Sequence, residues 1–212
     1  MYEPPHFRTD DLAAQAALIR ACPLGLLVSA GAGGLMANPV PFLLDEGAGG
    51  ERVLRAHLAR ANPQWRDLDG LSECLVVFQG PDRYVTPSWY ATKRETGKVV
   101  PTWNYATVQA RGRPRVIEDA AWLRRQIDDL TRMQEAGRDA PWSVADAPPA
   151  FTAAQIRGIV GIEIPIARLT GKWKVSQNRT EADRAGVAAG LRRDAGGDDA
   201  MADLVDKLGV RA

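Results

Sequence analysis

Residues 24–30 read LGLLVSA, and three of the next four residues are glycine. A short apolar run closed by glycines is typical of a buried β-strand that ends in a tight turn. A second strand is predicted over residues 36–44. Pro39 and Pro41 lie inside it and favour a bulged or edge position, because proline cannot donate a hydrogen bond to a neighbouring strand. This stretch predicts two short strands joined by a glycine-rich turn.

The rest of the chain adds more short strands and a few helices. Further strands are predicted over residues 51–57, 75–80, 84–89, 102–110, 113–117 and 163–169. We expect the strand at 113–117 to pair with the one at 102–110. Helices are predicted near the N-terminus, over residues 119–135 and 180–193, and in a last segment capped by Asp198. Strands and helices do not alternate regularly, which argues against a doubly wound parallel sheet and favours an antiparallel barrel or sandwich.

The composition is that of a folded protein with little charge bias. The chain has 212 residues, 45% hydrophobic and 25% charged, and its formal net charge is +1. A general nucleic-acid-binding domain usually carries a clear basic excess, which this chain lacks. No apolar run approaches the roughly 20 residues that span a bilayer, and the first residues do not resemble a signal peptide. We therefore expect a cytoplasmic protein without a membrane segment.

The sequence lacks the common motifs of nucleotide, hydrolase and metal sites. It has no glycine-rich nucleotide loop and no Gly-x-Ser-x-Gly nucleophile elbow. The two histidines are His6 and His57, and the two cysteines are Cys22 and Cys74. Four such scattered residues do not make a zinc site, so no metal is expected.

A first polar cluster, HLARANPQW, occupies residues 57–65. Donors on His57 and Arg60, together with the amides of a helix start, suit an anion such as a phosphate. The alternative is an ordinary helix entry, with Asn62 as the cap and Trp65 in the core. The residues by themselves leave both interpretations open.

An aromatic window and a basic segment follow later in the chain. Between Tyr84 and Tyr105 lie three of the four tyrosines and two of the six tryptophans. Such rings line pockets for planar ligands, pack subunit interfaces or fill a barrel core. In a strand, Trp103 and Tyr105 share one face and Asn104 takes the other. Residues 172–179, KWKVSQNR, could contact a phosphate or the edge of a heterocycle, or form a solvated loop.

Taken together, these motifs resemble the PaiB family. The resemblance is carried by MYEPPHF at 1–7, HLARANPQW at 57–65, YVTPSWY at 84–90, VPTWNY at 100–105 and KVSQNR at 174–179. It is collinear and covers nearly the whole chain, roughly residues 1 to 209. The family is described as FMN-binding negative transcriptional regulators.

The resemblance implies an α+β, mainly β, fold: an FMN-binding split β-barrel with flanking helices. It implies a barrel domain over residues 1–170, with an N-terminal and an inserted helix. A helical C-terminal segment over residues 171–212 is expected to pack on this barrel. The implied assembly is a homodimer, with FMN in a groove at the dimer interface.

The resemblance also implies which residues meet the flavin. His57, Arg60 and Asn62 are expected to lie near the phosphate of the flavin. The interface strand is expected to carry Trp103, Asn104 and Tyr105. The C-terminal segment that can approach the cofactor holds Lys174, Gln177, Asn178 and Arg179.

For function, the resemblance implies an FMN-binding transcriptional regulator, and two alternatives stay open. One is a flavin-dependent oxidoreductase of the split-barrel type, in which the flavin supplies the redox chemistry. The other is a haem-binding split-barrel protein. Only His6 and His57 could ligate the haem iron through imidazole. Whether the protein is an enzyme is left open by the sequence.

Direct DNA binding is not expected from the charges of the C-terminal third. The candidate phosphate donors there are Arg179, Arg184, Arg192, Arg193 and Lys207. The acidic residues interspersed with them are Glu181, Asp183, Asp194, Asp198, Asp199, Asp203 and Asp206. This balance is unusual for a sequence-specific DNA reader, so we expect regulation to be indirect.

Overall fold

The computed structural model describes residues 1–194, 197 and 199–208, and the predicted helix cap Asp198 lies outside them. The strands in this part of the chain are β1 (Arg8–Thr9), β2 (Leu24–Gly31), β3 (Gly34–Pro41), β4 (Leu43–Glu46), β5 (Arg52–Ala59), β6 (Cys74–Val85), β7 (Thr102–Gly112), β8 (Arg115–Ile117) and β9 (Ile159–Lys174). The α-helices are α1 (Leu12–Ala21), α2 (Gln64–Leu68), α3 (Ala91–Thr96), α4 (Ala120–Glu135), α5 (Pro149–Arg157), α6 (Glu181–Arg193) and α7 (Asp199–Leu208). None of these helices is long and apolar enough to cross a bilayer.

The strands are hydrogen-bonded in the order β3-β2-β6-β7-β9-β5-β4, and both β1 and β8 also pair with β9. The chain contacts define two compact units. Unit 1 comprises the described residues of Met1–Leu18, Gln79–Val108 and Thr170–Ala212, and unit 2 comprises Ile19–Phe78 and Gln109–Leu169. The long strands β6, β7 and β9 contribute residues to both units.

Residues 24–30 form a strand as predicted, but the strand predicted over 36–44 is divided, because β3 ends at Pro41 and Leu43 begins β4, which pairs with β5. Strands β2 and β3 pair antiparallel from Leu24↔Pro41 to Gly31↔Gly34, joined by a two-residue turn. Gly34 has a φ of +99°, a conformation that side chains with a Cβ rarely adopt. β3 ends the strand order, which confirms the edge position that its prolines favour.

Four further strand predictions need correction. The strand predicted at 75–80 continues through Gly80-Pro81 to Val85 as β6. The separate strand predicted at 84–89 is wrong beyond Val85, because Pro87–Trp89 form a short 3₁₀-helix. The strand predicted at 163–169 extends over the whole of β9. The strand at 113–117 pairs with β9, with Val116 opposite Ile162, and not with the strand before it. Strand β9 also runs across residue 170, and a domain boundary at that residue stays a prediction.

Each unit has its own buried apolar side chains. In unit 1, the end of β6 and the start of the turn after β9 pack against α6 and α7 through Val85, Val175, Val187 and Met201. Trp89 packs against the same cluster. In unit 2, the fully buried side chains include Leu27, Phe42, Leu54, Phe78 and Ile162. The burial of these residues provides most of the stabilisation that such a fold needs.

Candidate functional site

Three basic side chains of unit 1, Lys172, Lys174 and Arg179, form a group that we call the cationic face. Side chains alternate along a strand, so Lys172 and Lys174 share one side of β9 while Trp173 takes the other. Lys172 was not among the expected site residues. The signal that could have identified it is the same alternation, with a lysine two positions before Lys174.

Lys172 is buried without a negatively charged partner. Its residue is only 7% exposed. The Nζ atom donates a hydrogen bond to the Tyr2 carbonyl oxygen over 3.1 Å. It also lies 5.5 Å from the Tyr2 ring centroid and 5.3 Å from that of Tyr105. Cation–π contacts offset part of the cost of burying a charge, but the described residues supply no carboxylate to this ammonium group.

Lys174 is also partly buried and surrounded by positive charge. Its Nζ donates to the Thr102 Oγ1 and to the Trp103 carbonyl oxygen, each over 2.5 Å. Burial lowers the pKa of Lys174, and the positive charges of Lys172 and Arg179 lower it further. A nearby anion would stabilise the charged form of this lysine.

The interface strand predicted from the sequence alternates as expected. Trp103 is exposed and Asn104 is completely buried, while Tyr105 is half-buried. The Trp103 indole N–H donates to Asp82 over 2.8 Å, and the ring meets Tyr84 edge-on at 6.0 Å. Trp103 therefore presents a fixed aromatic surface to the outside of unit 1.

Asn104 holds the turn that carries the last three predicted site residues. Its Nδ2 donates to the Ser176 Oγ over 3.0 Å. Ser176 has a φ of +67°, which is uncommon for a residue other than glycine. The side-chain contact stabilises this conformation and so fixes the direction of the chain after β9. We assign Asn104 a positioning role.

The residues of that turn differ in what they do. The Gln177 Oε1 accepts from the Val175 N–H and its Nε2 donates to the Trp173 carbonyl oxygen, so both ends of the amide hold the backbone. Gln177 also lines a pocket of about 340 Å³ in unit 1, together with Trp173 and Lys207. Asn178 is exposed. The Arg179 guanidinium lies 4.7 Å above the ring of Tyr90.

The predicted phosphate-side residues lie in unit 2. His57 is half-buried on β5, and burial lowers its pKa. Arg60 is already engaged with its own chain, because it donates to Glu118 and to the carbonyl oxygens of Arg157 and Ile159. These contacts leave Arg60 fewer donors for a ligand.

Asn62 lies at the entry to helix α2, one residue before the N-cap residue Pro63. Its Oδ1 accepts the backbone N–H of Gln64 over 3.0 Å, as in the helix-entry interpretation. Helix α2, which follows, has only five residues, so its dipole is small. The phosphate contacts of His57, Arg60 and Asn62 stay predictions.

The residues of unit 1 fit the chemistry of FMN. A flavin mononucleotide combines a phosphate, which is strongly acidic, with a flat ring system. Lys172, Lys174 and Arg179 supply cationic donors, and Lys172 has no carboxylate partner among the described residues. Tyr105 and Trp103 supply flat aromatic surfaces beside them. Arginine and lysine are the usual partners of phosphate oxygens.

One family model matches most of the chain, and the matched residues end before Lys172. Residues 1–168 match the model of a family described as "Putative FMN-binding domain". An uncharacterised protein of Emericella nidulans is 39% identical over 209 residues, covering 82% of this chain and 83% of that protein. The Protease synthase and sporulation protein PAI 2 of Bacillus subtilis is 29% identical over 194 residues, covering 92% and 90%.

Among solved structures, the chain is similar to the flavocytochrome Anf3 of Azotobacter vinelandii. The TM-score is 0.58 at 18% identity, covering 84% of this chain and 75% of that one. This likeness concerns the fold and confirms the expected α+β, mainly β, split-barrel class. The family match identifies FMN as the cofactor. The chain belongs to the family of FMN-binding domains that its resemblance to PaiB predicts.

Proposed function

We propose that the protein binds FMN through the cationic face of unit 1, with Lys172, Lys174 and Arg179 holding the phosphate. The observation that carries this proposal is the burial of Lys172 without a carboxylate partner in the described residues. An unpaired buried charge is costly, and a phosphate would offset that cost. Burial and nearby positive charges also lower the pKa of Lys174. A bound phosphate would stabilise the charged form of this lysine as well.

The chain's own residues bind and orient, and a bound flavin would supply the redox chemistry. Trp103 and Tyr105 offer aromatic surfaces for the flat ring system. Asn104 keeps the turn at Ser176 in place, and with it the position of Arg179. The oxidoreductase and haem-binding alternatives stay predictions.

Lys174→Met is expected to weaken FMN binding by about 1.5–3 kcal/mol, the usual contribution of a charge-assisted hydrogen bond. This corresponds to roughly 10–100-fold in the dissociation constant. Titration of FMN fluorescence with the purified protein measures the change. The matched control is Lys98→Met, which removes an exposed lysine of unit 1. Arg60→Ala tests the alternative site. If the phosphate binds in unit 2, Arg60→Ala should weaken FMN binding more than Lys174→Met does.

The pH dependence separates a phosphate contact from a structural role. Binding favours the charged form of Lys174, so affinity should fall as pH rises through the lowered pKa of this lysine. The fall should begin below the ordinary lysine value of about 10.4. Arginine stays charged throughout, so Lys174→Arg should retain binding and move the fall to higher pH. Equal FMN affinity in wild type and Lys174→Met would disprove the proposal.

The homodimer expected from the resemblance has a candidate surface in unit 2. Leu24 and Leu26 on β2 and Leu35 on β3 are 63%, 40% and 83% exposed. Alternation and register place ten apolar residues on one side of β2, β3 and β6. This apolar sheet face consists of Leu24, Leu26, Val28, Ala30, Leu35, Ala37, Pro39, Pro41, Leu75 and Val77. Contiguous exposed apolar patches mark interaction sites, and we assign this one to a second copy of the chain.

Regulation, as the PaiB resemblance implies, is proposed to act without tight direct DNA binding. Arg192 donates to Asp203 and to Asp206, each over 2.9 Å. Arg184 and Arg193 donate to carbonyl oxygens of their own chain. Three of the five candidate phosphate donors are thus engaged. Asp198, one of the acidic residues of the C-terminal third, lies outside the described residues.

An electrophoretic mobility shift assay tests this point. At nanomolar protein and physiological salt, no shift of the gene's own promoter fragment is expected, with or without FMN. Binding that neutralises several phosphates would fall steeply with salt. A nanomolar shift that raised salt abolishes would therefore contradict the proposal.

A further inference from the structure

A cavity of about 450 Å³ lies in unit 2 between α4 and the loop of residues 141–145. This volume falls in the usual range for small-molecule pockets, about 300–1,000 Å³. Its walls share no residue with the cationic face or with the apolar sheet face. The cavity is therefore a separate candidate binding site.

The loop that forms one wall is held in a fixed conformation. The Trp142 N–H donates to the Glu135 Oε2 over 3.1 Å. The next residue, Ser143, forms a reciprocal capping box with Asp146, and Val144 is buried. These contacts fix the backbone on both sides of the Trp142 indole, which remains 50% exposed. A large ring held half-exposed beside a cavity offers a stacking surface for a flat apolar group.

The cavity has more hydrogen-bond donors than its own carboxylates use. Asp128 accepts from the Arg124 Nε over 2.9 Å. Glu135 accepts the Trp142 amide and pairs with Arg138. Both carboxylates are thus satisfied by the chain. A guanidinium has five N–H donors, and Arg124 uses only its Nε in contacts with the described residues.

We propose that this cavity binds a small aromatic monocarboxylate. Its ring would lie against Trp142 and its carboxylate would accept from the free Nη donors of Arg124, a geometry that guanidinium and carboxylate favour. Arg132, on the same wall, pairs with Asp129 over 3.2 Å, so the carboxylate contact is assigned to Arg124. The lining holds two arginines and two carboxylates, so a monoanion on the Nη donors of Arg124 adds less excess negative charge than a dianionic phosphate would.

Isothermal titration of the purified full chain with phenylacetate tests the proposal. One phenylacetate is expected to bind per chain. Arg124→Gln and Trp142→Ala should each weaken binding at least tenfold, and Arg124→Lys should lie between wild type and Arg124→Gln. The uncharged probe phenylacetamide should bind at least tenfold more weakly than the acid.

The matched control is Arg125→Gln, which removes the neighbouring, exposed arginine of α4 that does not line the cavity. This variant should bind phenylacetate like wild type, and circular dichroism should show that all variants remain folded. FMN titration of the Arg124→Gln variant should be unchanged, which separates this site from the proposed flavin site. Absence of phenylacetate binding at millimolar concentration, or equal binding by wild type and Arg124→Gln, would overturn the proposal.

Discussion

Replacing Leu26 by glutamate is expected to leave the protein monomeric. Leu26 lies in the middle of β2, with Pro39 and Val77 as its neighbours on the apolar sheet face. Burial of a leucine side chain contributes about 1.5–3 kcal/mol, and a buried unpaired carboxylate costs several kcal/mol more. A total of about 4 kcal/mol or more weakens the dimer by roughly a thousandfold or more. Light scattering or sedimentation at micromolar protein measures the change.

The control for this variant is Leu12→Glu, which changes an exposed leucine of α1 in unit 1. It should leave the assembly as in wild type. FMN titration of Leu26→Glu then tests whether flavin binding depends on the dimer, as the resemblance implies. A Leu26→Glu protein that stays dimeric would show that another surface forms the interface.

Gly186→Ala is expected to destabilise the protein strongly, although alanine is normally the better helix residue. A Cβ at this position would lie 2.0 Å from the Trp89 carbonyl oxygen. That oxygen belongs to the backbone, so α6 and the segment at Trp89 would have to separate. Overpacking costs about 1–3 kcal/mol, occasionally more, against a gain of up to about 1 kcal/mol in helix propensity. We expect a net loss of about 1–2 kcal/mol, or roughly 2–8 °C in the melting temperature.

Thermal unfolding followed by circular dichroism measures this loss. Gly33→Ala is the matched control, because a Cβ at that position meets nothing within 4 Å. It should change the melting temperature little. If Gly186→Ala and Gly33→Ala have the same melting temperature, helix α6 does not pack on Trp89 as closely as described. The interpretation of this helix would then be wrong.

The sequence contained enough information for much of the secondary structure and part of the site. The glycine-rich turn between β2 and β3 and the alternation of Trp103, Asn104 and Tyr105 follow from local rules of backbone geometry. Asp119 accepts the backbone N–H of Trp122 as the cap of α4, which begins at the next residue, within one position of the predicted start. These features depend on residues only a few positions apart, so the chain itself specifies them.

Strand pairing and the surroundings of charged groups needed the tertiary structure. β8 pairs with β9 and not with the strand immediately before it, because register and partner depend on which strand edge is available. Arg60 meets Glu118, 58 residues later in the chain. No local pattern indicates that this arginine already has a partner.

The sequence by itself determined the mainly β fold class, the FMN-binding family and the basic segment at residues 172–179. Only the tertiary structure decided that Lys172 is buried between Tyr2 and Tyr105 without a carboxylate partner among the described residues. The physical reason is that the energy of a charge depends on its burial and on the groups around it. Those groups come from distant parts of the chain, and only the folded structure brings them together.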